Sequence, residues 1–531
     1  MKTIIKRNLP KASIFLMIFL ALTLAQTVAY GAVTIIPQSG TDPELIEIVH
    51  KVVDSFYSFV EQKLHLTFAR EVKVFVCPNQ NSYTDVLQSE FKLSKPVAER
   101  RAKLTGGIAD WEKSIVALNL DPDDNYDPEY HAYYATAHEL VHQLQFQLTS
   151  NKLNTTLYWL VEGTADFLAA QIVEKIGYRS LAGWKTEEYF IIRNAPDYAQ
   201  PDQLTYISFT EWEKFVEEGK HPYQVSNLMV LYLMSKTKKN GNGAIINYFL
   251  GASKEGKDEI NFEQSFELSL QEYMVNVNQW LKGSIKTLGK LEMVSNGNID
   301  QLVSVSEGFY RSQVFLKENF GAILESKQKI ILAPEKYTYI EGLRKEFRIA
   351  RSRAEVIAKD HPFWFSGNKI LMNLELLPDC RSQVFNGVLM TVSSFQNQQV
   401  KAKIWENQFW LKQGIASLFA AIITEQAEVG TVEYYLQTWL KEIKEAGMPL
   451  ELADLRTEAG WNQAVAKYGV SVVNGYAALA AQNLFGRKGL KPFGIWLGDS
   501  NYNNSKEAFQ VAFGLSRDEF EIEFYEYLKN N

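Results

Sequence analysis

Apolar residues between Glu44 and Leu66 fall at helical spacing (Leu45, Ile48, Val49, Val52, Val53 and Phe56 on one face), so a helix is predicted there. The β-branched and aromatic run Val72 to Val76, stopped by Pro78, predicts a strand. Tyr83 to Phe91 and Val97 to Leu104 read as helices. Gly106 to Ala109 and Ile115 to Leu120 read as strands around the polar turn Asp110 to Ser114. From Tyr130 to Leu148, and again from about Thr156 to Ile176, the pattern is helical, and it stays mostly helical to Ile285 with Gly177, Gly241 and Gly243 as punctuation. Few strands early and helices late make an α+β domain.

The pattern then repeats. Trp159-Leu-Val-Glu-Gly-Thr-Ala-Asp-Phe-Leu-Ala-Ala170 returns 251 residues later as Trp410-Leu-Lys-Gln-Gly-Ile-Ala-Ser-Leu-Phe-Ala-Ala421, identical at six of twelve positions. Pro78, Tyr83, Leu87, Glu90 and Phe91 match Pro334, Tyr339, Leu343, Glu346 and Phe347 at an offset of 256. Collinear matches over such a distance predict two tandem copies of one domain, each with its own core. The first spans residues 45–285 and the second residues 300–531, with a polar linker at 286–299 around Asn296 to Asp300.

The amino terminus has a different character. Lys2, Lys6, Arg7 and Lys11 precede the apolar run Ile14 to Ala25, and small residues follow at Ala29, Gly31 and Ala32. This is the layout of a secretory signal peptide over residues 1–31, cleaved near Gly31, with residues 32–44 as a spacer. About twelve apolar residues fall short of the roughly 20 that span a bilayer, and no later run is longer, so no membrane span is expected in the mature chain. Composition agrees with a folded exported protein. Of 531 residues 46% are hydrophobic, and two cysteines, Cys77 and Cys380, are too few for a disulfide framework, which fits a bacterial exoprotein. The formal charge of -7, about -11 without the four leader cations, and the lack of a later basic run exclude a nucleic-acid footprint.

The candidate chemistry lies on two of the predicted helices. His138-Glu139-Leu140-Val141-His142 sets two imidazoles one turn apart on one face, so both can reach one metal ion, and places Glu139 beside the position of a bound water. Glu162 offers a third ligand from the next helix and leaves one coordination position open. Asp166, one turn on from Glu162, is placed to accept the second ring N–H of a ligand histidine. His50, His65, His131 and His361 have no partner at a coordinating spacing.

These two segments, His138-Glu-Leu-Val-His142 and Trp159-Leu-Val-Glu162-Gly-Thr-Ala-Asp166, resemble the Glu-zincin (gluzincin) metallopeptidases. The likeness is greatest to the bacterial peptidase MA-like group, over about residues 70–285. The resemblance implies a zincin-like fold and one Zn²⁺ per chain held by His138, His142 and Glu162. It also implies Glu139 as general base, Asp166 behind the ligands, and a peptide or protein substrate whose backbone pairs with an edge strand at Gly106 to Ala109. An oxyanion donor is expected beyond the ligand helices, where His221 and Tyr223 are candidates, although Tyr468 at a similar place in copy two weakens the case. The Gly-x-Met-Glu-Asn segment with which aminopeptidases read a free amino terminus is missing, which points to an endopeptidase.

At the offset of 251, His138, Glu139, His142, Glu162 and Asp166 fall on Leu389, Met390, Ser393, Gln413 and Ser417. Copy two is therefore expected to fold like copy one and bind no zinc. Substrate holding, docking to the cell envelope or stabilisation of copy one remain open to it. For the whole chain two readings stand: a secreted zinc peptidase with an inert second domain, or a non-catalytic exported protein that binds zinc or peptide. Retention of Glu139 favours the first, because a structural zinc site has no use for a general base.

Overall fold

The computed structural model describes residues 32–121, 128–150, 152–153, 155, 157–237, 241–252, 257–284, 290–295, 299–399, 407–447, 450–498 and 505–530. The predicted signal peptide lies outside the described residues, as does half of the predicted linker. No described helix is long and apolar enough to cross a membrane.

The fold is mixed α+β, mostly helical, with two small mixed sheets. The chain divides into two compact units, residues 1–179 with 197–278, and residues 180–196 with 279–531. In chain order the elements before residue 285 are β1 (Val33–Pro37), α1 (Pro43–Leu64), β2 (Val72–Cys77), α2 (Gln80–Ser89), α3 (Lys95–Leu104), β3 (Gly107–Asp110), β4 (Ile115–Asn119), α4 (Pro128–Leu148), α5 (Tyr158–Ile176), α6 (Leu181–Asn194), α7 (Phe209–Glu217), α8 (Pro222–Lys236), α9 (Gly241–Gly251), α10 (Asp258–Phe266) and α11 (Leu270–Ser284). The rest are β5 (Leu291–Ser295), α12 (Ile299–Phe320), β6 (Gln328–Ala333), α13 (Lys336–Phe347), α14 (Arg351–Asp360), β7 (Phe363–Ser366), β8 (Lys369–Asn373), α15 (Cys380–Gln399), α16 (Phe409–Gln426), α17 (Val432–Glu445), α18 (Glu458–Tyr468), α19 (Val470–Lys488), α20 (Lys491–Gly498), α21 (Ser505–Phe513) and α22 (Arg517–Asn530).

In the first unit the sheet order is β1-β2-β4-β3, with β1, β2 and β4 parallel and β3 an antiparallel edge. Alternation along β2 and β4 decides what covers each face. Phe75, Cys77, Ile115 and Ala117 pack under Tyr83, Leu87 and Ala98 of α2 and α3. Val74, Val76, Val116 and Leu118, all fully buried, point to the opposite face, where α1 and α4 run. The sheet of the second unit has the order β5-β6-β8-β7 with the same parallel and antiparallel pairings. Ile330, Leu332, Ile370 and Met372 meet Val305 and Met390 of α12 and α15, while Leu371 meets Tyr339, Leu343 and Ala354 of α13 and α14.

Three expectations change. The spacer 32–44 contains β1, which hydrogen-bonds in parallel with β2 from Val33 opposite Val72 to Pro37 opposite Val76, and α1 already starts at Pro43 behind the cap Asp42. The linker 286–299 contains β5, and α12 begins at Ile299. The first domain is also not continuous over residues 45–285, because α6 packs in the second unit.

The reason lies in the side chains of α6. The Arg193 side chain is 2% exposed and pairs with Glu307 of α12, 1% exposed. Arg311 Nε donates to the same carboxylate at 2.6 Å, and Tyr189 lies 4.7 Å beneath the Arg311 guanidinium. Burial works against the charge on Glu307, but Arg193 and Arg311 outweigh it and hold the carboxyl down at about 2. Removing one partner of such a buried group strands the others in a medium that cannot solvate them.

Glu307→Gln is therefore expected to destabilise the protein by about 3 kcal/mol, read as a lower urea midpoint. The stability contributed by the depressed carboxyl is complete above its unfolded value of about 4.3 and is lost as pH falls toward 2, so the wild-type advantage over the variant should shrink across that window. A chain ending at Ser284 leaves buried Trp184, Tyr189 and Ile192 without cover and is expected to aggregate or bind a hydrophobic dye, in contrast to the full chain.

Candidate metal centre

Helix α4 carries His138, Glu139 and His142, and α5 carries Glu162 and Asp166. The two helices pack side by side, and α5 packs in turn on α8. Gly163 sets the second distance: a Cβ there would lie 2.6 Å from the carbonyl oxygen of Ser226, so any larger residue would push α8 away.

His138, His142 and Glu162 come together, with one ligand atom from each within 4.8 Å of the others. His138 Nε2 is 3.5 Å and His142 Nε2 3.4 Å from Glu162 Oε2. Such spacings are long for hydrogen bonds. They match the edge of a tetrahedron around an ion with bonds of about 2.1 Å, which is about 3.4 Å. Among the described residues this is the one group of three His, Cys, Asp or Glu side chains so arranged.

The other ring nitrogens are occupied. His138 Nδ1 is 2.6 Å from Asp166 Oδ1, as the sequence suggested for Asp166. His142 Nδ1 is 2.7 Å from Gln145 Oε1, which the sequence reading missed. The amide of Gln145 has one allowed orientation, since its Nε2 donates to the carbonyl of Val161 at 2.9 Å and to Thr164 Oγ1 at 3.1 Å. Its oxygen must accept, so His142 donates from Nδ1 and keeps the Nε2 lone pair for a metal. The only prior signal is a polar residue three positions after a ligand, which is too common to single out.

Charge balance follows the same geometry. Burial favours neutral His138, but Asp166 and Glu162 outweigh it and raise the imidazole well above its ordinary value. His142 is likewise penalised by burial and raised by Glu162. Glu162 is driven down despite burial by the two imidazoles. Glu139 moves the other way: burial raises it, only partly offset by His138 and His142.

Glu139 is 5% exposed. One of its oxygens rests against Gly107 of β3, where a Cβ would come within 2.8 Å, and the other, Oε2, is buried without a protein partner. A buried carboxylate oxygen with no donor is costly unless something outside the protein satisfies it. Glu139 lines a pocket of about 370 Å³ that also holds the three candidate ligands. The walls are Gly107, Ile108 and Ala109 of β3, Tyr158 and Val161 of α5, Phe209 and Trp212 of α7, and Tyr223. Because Asn119 N–H donates to Gly106 C=O, the alternation of the antiparallel ladder turns the main-chain groups of Gly107 and Ala109 away from β4, toward the free edge.

Tyr223 sits in the first turn of α8 with its ring 5.2 Å from Trp212 at 89°. Burial and the nearby Glu162 raise its hydroxyl well above the ordinary value. His221 caps α8 in a left-handed conformation (φ 50°) and is not among the pocket-lining residues. The equivalence drawn between Tyr223 and Tyr468 is corrected. Gly414 meets Ala477 as Gly163 meets Ser226, which keeps the offset at 251 and puts Asn474, not Tyr468, at the place of Tyr223; Tyr468 ends α18.

Neither a protein-family model nor a curated protein matches the chain. The arrangement itself fits a metal ion: three ligand atoms at mutual distances suited to one ion, two imidazoles fixed from behind, and an unpaired carboxylate oxygen alongside.

Asp166→Ala and Gln145→Leu are each expected to weaken metal binding about 10- to 100-fold with helicity unchanged, measured by competition with a chromophoric chelator. Since both imidazoles hold their protons above the usual range, metal uptake should release protons and weaken as pH falls below neutral, which calorimetry in buffers of different ionisation enthalpy would detect.

Proposed function

We propose that the chain is a secreted zinc metallopeptidase, with its centre in the first unit and an inert second unit. The observation that carries this reading is Glu139, a buried carboxylate with one unpaired oxygen beside three converging ligands and an open pocket. A closed structural site would place a fourth ligand there. Two imidazoles and a carboxylate are one of the donor sets that catalytic zinc sites use.

When bound, zinc supplies a Lewis acid that polarises the scissile carbonyl and acidifies water. His138, His142 and Glu162 hold it, and Asp166 and Gln145 fix the imidazole orientation. Glu139, with its affinity for protons raised by burial, takes the proton of the attacking water and delivers it to the leaving amine. Tyr223 stays protonated and can donate to the developing oxyanion. The outward amides and carbonyls of Gly107 and Ala109 offer an extended peptide an antiparallel partner, which suits internal segments of a chain and hence endopeptidase action.

Matching sheet order, a constant offset of 251 through the paired helices and the shared glycine contact support descent of the two units from one duplicated zincin-like domain. In the second, Leu389, Met390, Ser393, Gln413 and Ser417 replace the site. Export is supported by the leader pattern, and cleavage near Gly31 would spare β1.

Purified mature protein is expected to contain one zinc per chain and to cleave peptides from a mixed library, with cleavage abolished by a chelator. Glu139→Gln should retain zinc and lose hydrolysis by orders of magnitude, while Tyr223→Phe should lower kcat by about 100-fold. Undiminished turnover in Glu139→Gln, or two zinc ions per chain, would refute the assignment.

A further inference from the structure

The second unit keeps the edge strand after losing the ligands. Where the first unit has Gly107, Ile108 and Ala109, the matching strand β7 reads Phe363-Trp364-Phe365, each residue half-buried. Among the described residues β7 pairs with one strand only, β8. Asn373 N–H donates to Pro362 C=O, so alternation aims the main-chain N–H and C=O groups of Phe363 and Phe365 outward, away from β8.

A groove of about 480 Å³ opens beside this strand, between the β7–β8 turn and the α13–α14 connection. Its lining includes Trp364, Phe365, Arg348 and Arg353. The neighbouring cations are neutralised: Arg344 pairs with Glu341 at 2.5 Å, Arg351 with Glu355 at 3.0 Å and Lys369 with Glu346 at 2.9 Å. Arg348 and Arg353 are exposed and, among the described residues, neither is paired with a carboxylate. In a chain of formal charge -7, two unneutralised guanidinium groups flank an open, aromatic strand edge.

We propose that this edge docks an extended acidic peptide. The peptide adds to β7 as a strand, its carboxylates meet Arg348 and Arg353, and its apolar side chains lie against Trp364 and Phe365. The free main-chain groups select a peptide over other polyanions, because a glycan or nucleic acid cannot continue the ladder. Arginine is suited to the role, since its planar fork grips a carboxylate with two parallel hydrogen bonds. The inference is independent of the peptidase reading, and the test is run on the full chain with chelator present so that no probe is consumed.

A fluorescein-labelled peptide of five Glu-Val repeats is titrated and followed by anisotropy. Saturable binding is expected, with none for five Lys-Val repeats. Arg348→Glu together with Arg353→Glu should weaken it about tenfold or more while leaving the circular dichroism and thermal midpoint unchanged, as both side chains are exposed. Methylation of alternate backbone amides of the probe should abolish binding. The milder Arg353→Gln should give a partial loss. Absence of saturable binding, wild-type affinity in the double variant, or equal affinity for the methylated peptide or heparin would each overturn the proposal.

Discussion

The approach of α5 to α8 at Gly163 is the constraint on which the site rests. With backbone carbonyl only 2.6 Å from where a Cβ would be, the two helices are held at a separation that no other residue permits. Glu162 is the adjacent residue, so its reach toward α4 is fixed by the same contact. Tyr223 lies one turn before Ser226, so its entry into the pocket is fixed too. The second unit repeats the contact at Gly414 and Ala477 without any ligands to position. The close packing is thus common to both units, and the candidate metal ligands of the first are carried on it rather than the cause of it.

The two units share a further feature at Gln396, which lies 251 residues after Gln145. Its Nε2 still donates across the helix pair to the Lys412 carbonyl at 3.3 Å, as Gln145 donates to Val161. With Ser393 in place of His142, its amide oxygen is buried without a partner. Gly107, whose missing Cβ makes room for Glu139, likewise gives way to Phe363 where no carboxylate has to fit. The two units thus agree at buried framework positions and differ where the first has to accommodate Glu139.

Much of this was legible in the sequence because it depends on local spacing. Two histidines at i and i+4, a carboxylate on the next helix and another one turn later are patterns of a single helix face, and the structure brings His138, His142, Glu162 and Asp166 together accordingly. The strand and helix pattern from Pro43 to Ile176 followed from periodicity for the same reason. What escaped depends on partners distant in the chain. Five residues at Val33–Pro37 are too few for their alternation to stand out, and they become a strand by pairing with β2. The side of the molecule that receives α6 depends on Glu307, more than a hundred residues away. The likeness of Tyr468 to Tyr223 rests on residue type and departs from the offset of 251, which the glycine contacts uphold.

The excursion of α6 bears on how such a chain can evolve. The helix is encoded between the segments that carry Glu162 and Tyr223, yet its cover comes from the second half of the gene. Deleting that half would uncover an apolar face inside the half that was kept. A unit without ligands can then be retained by purifying selection on solubility alone, free to change its surface while its interior stays locked. An interior that must stay covered, under a surface that need not stay the same, is the condition under which a domain acquires a new binding face.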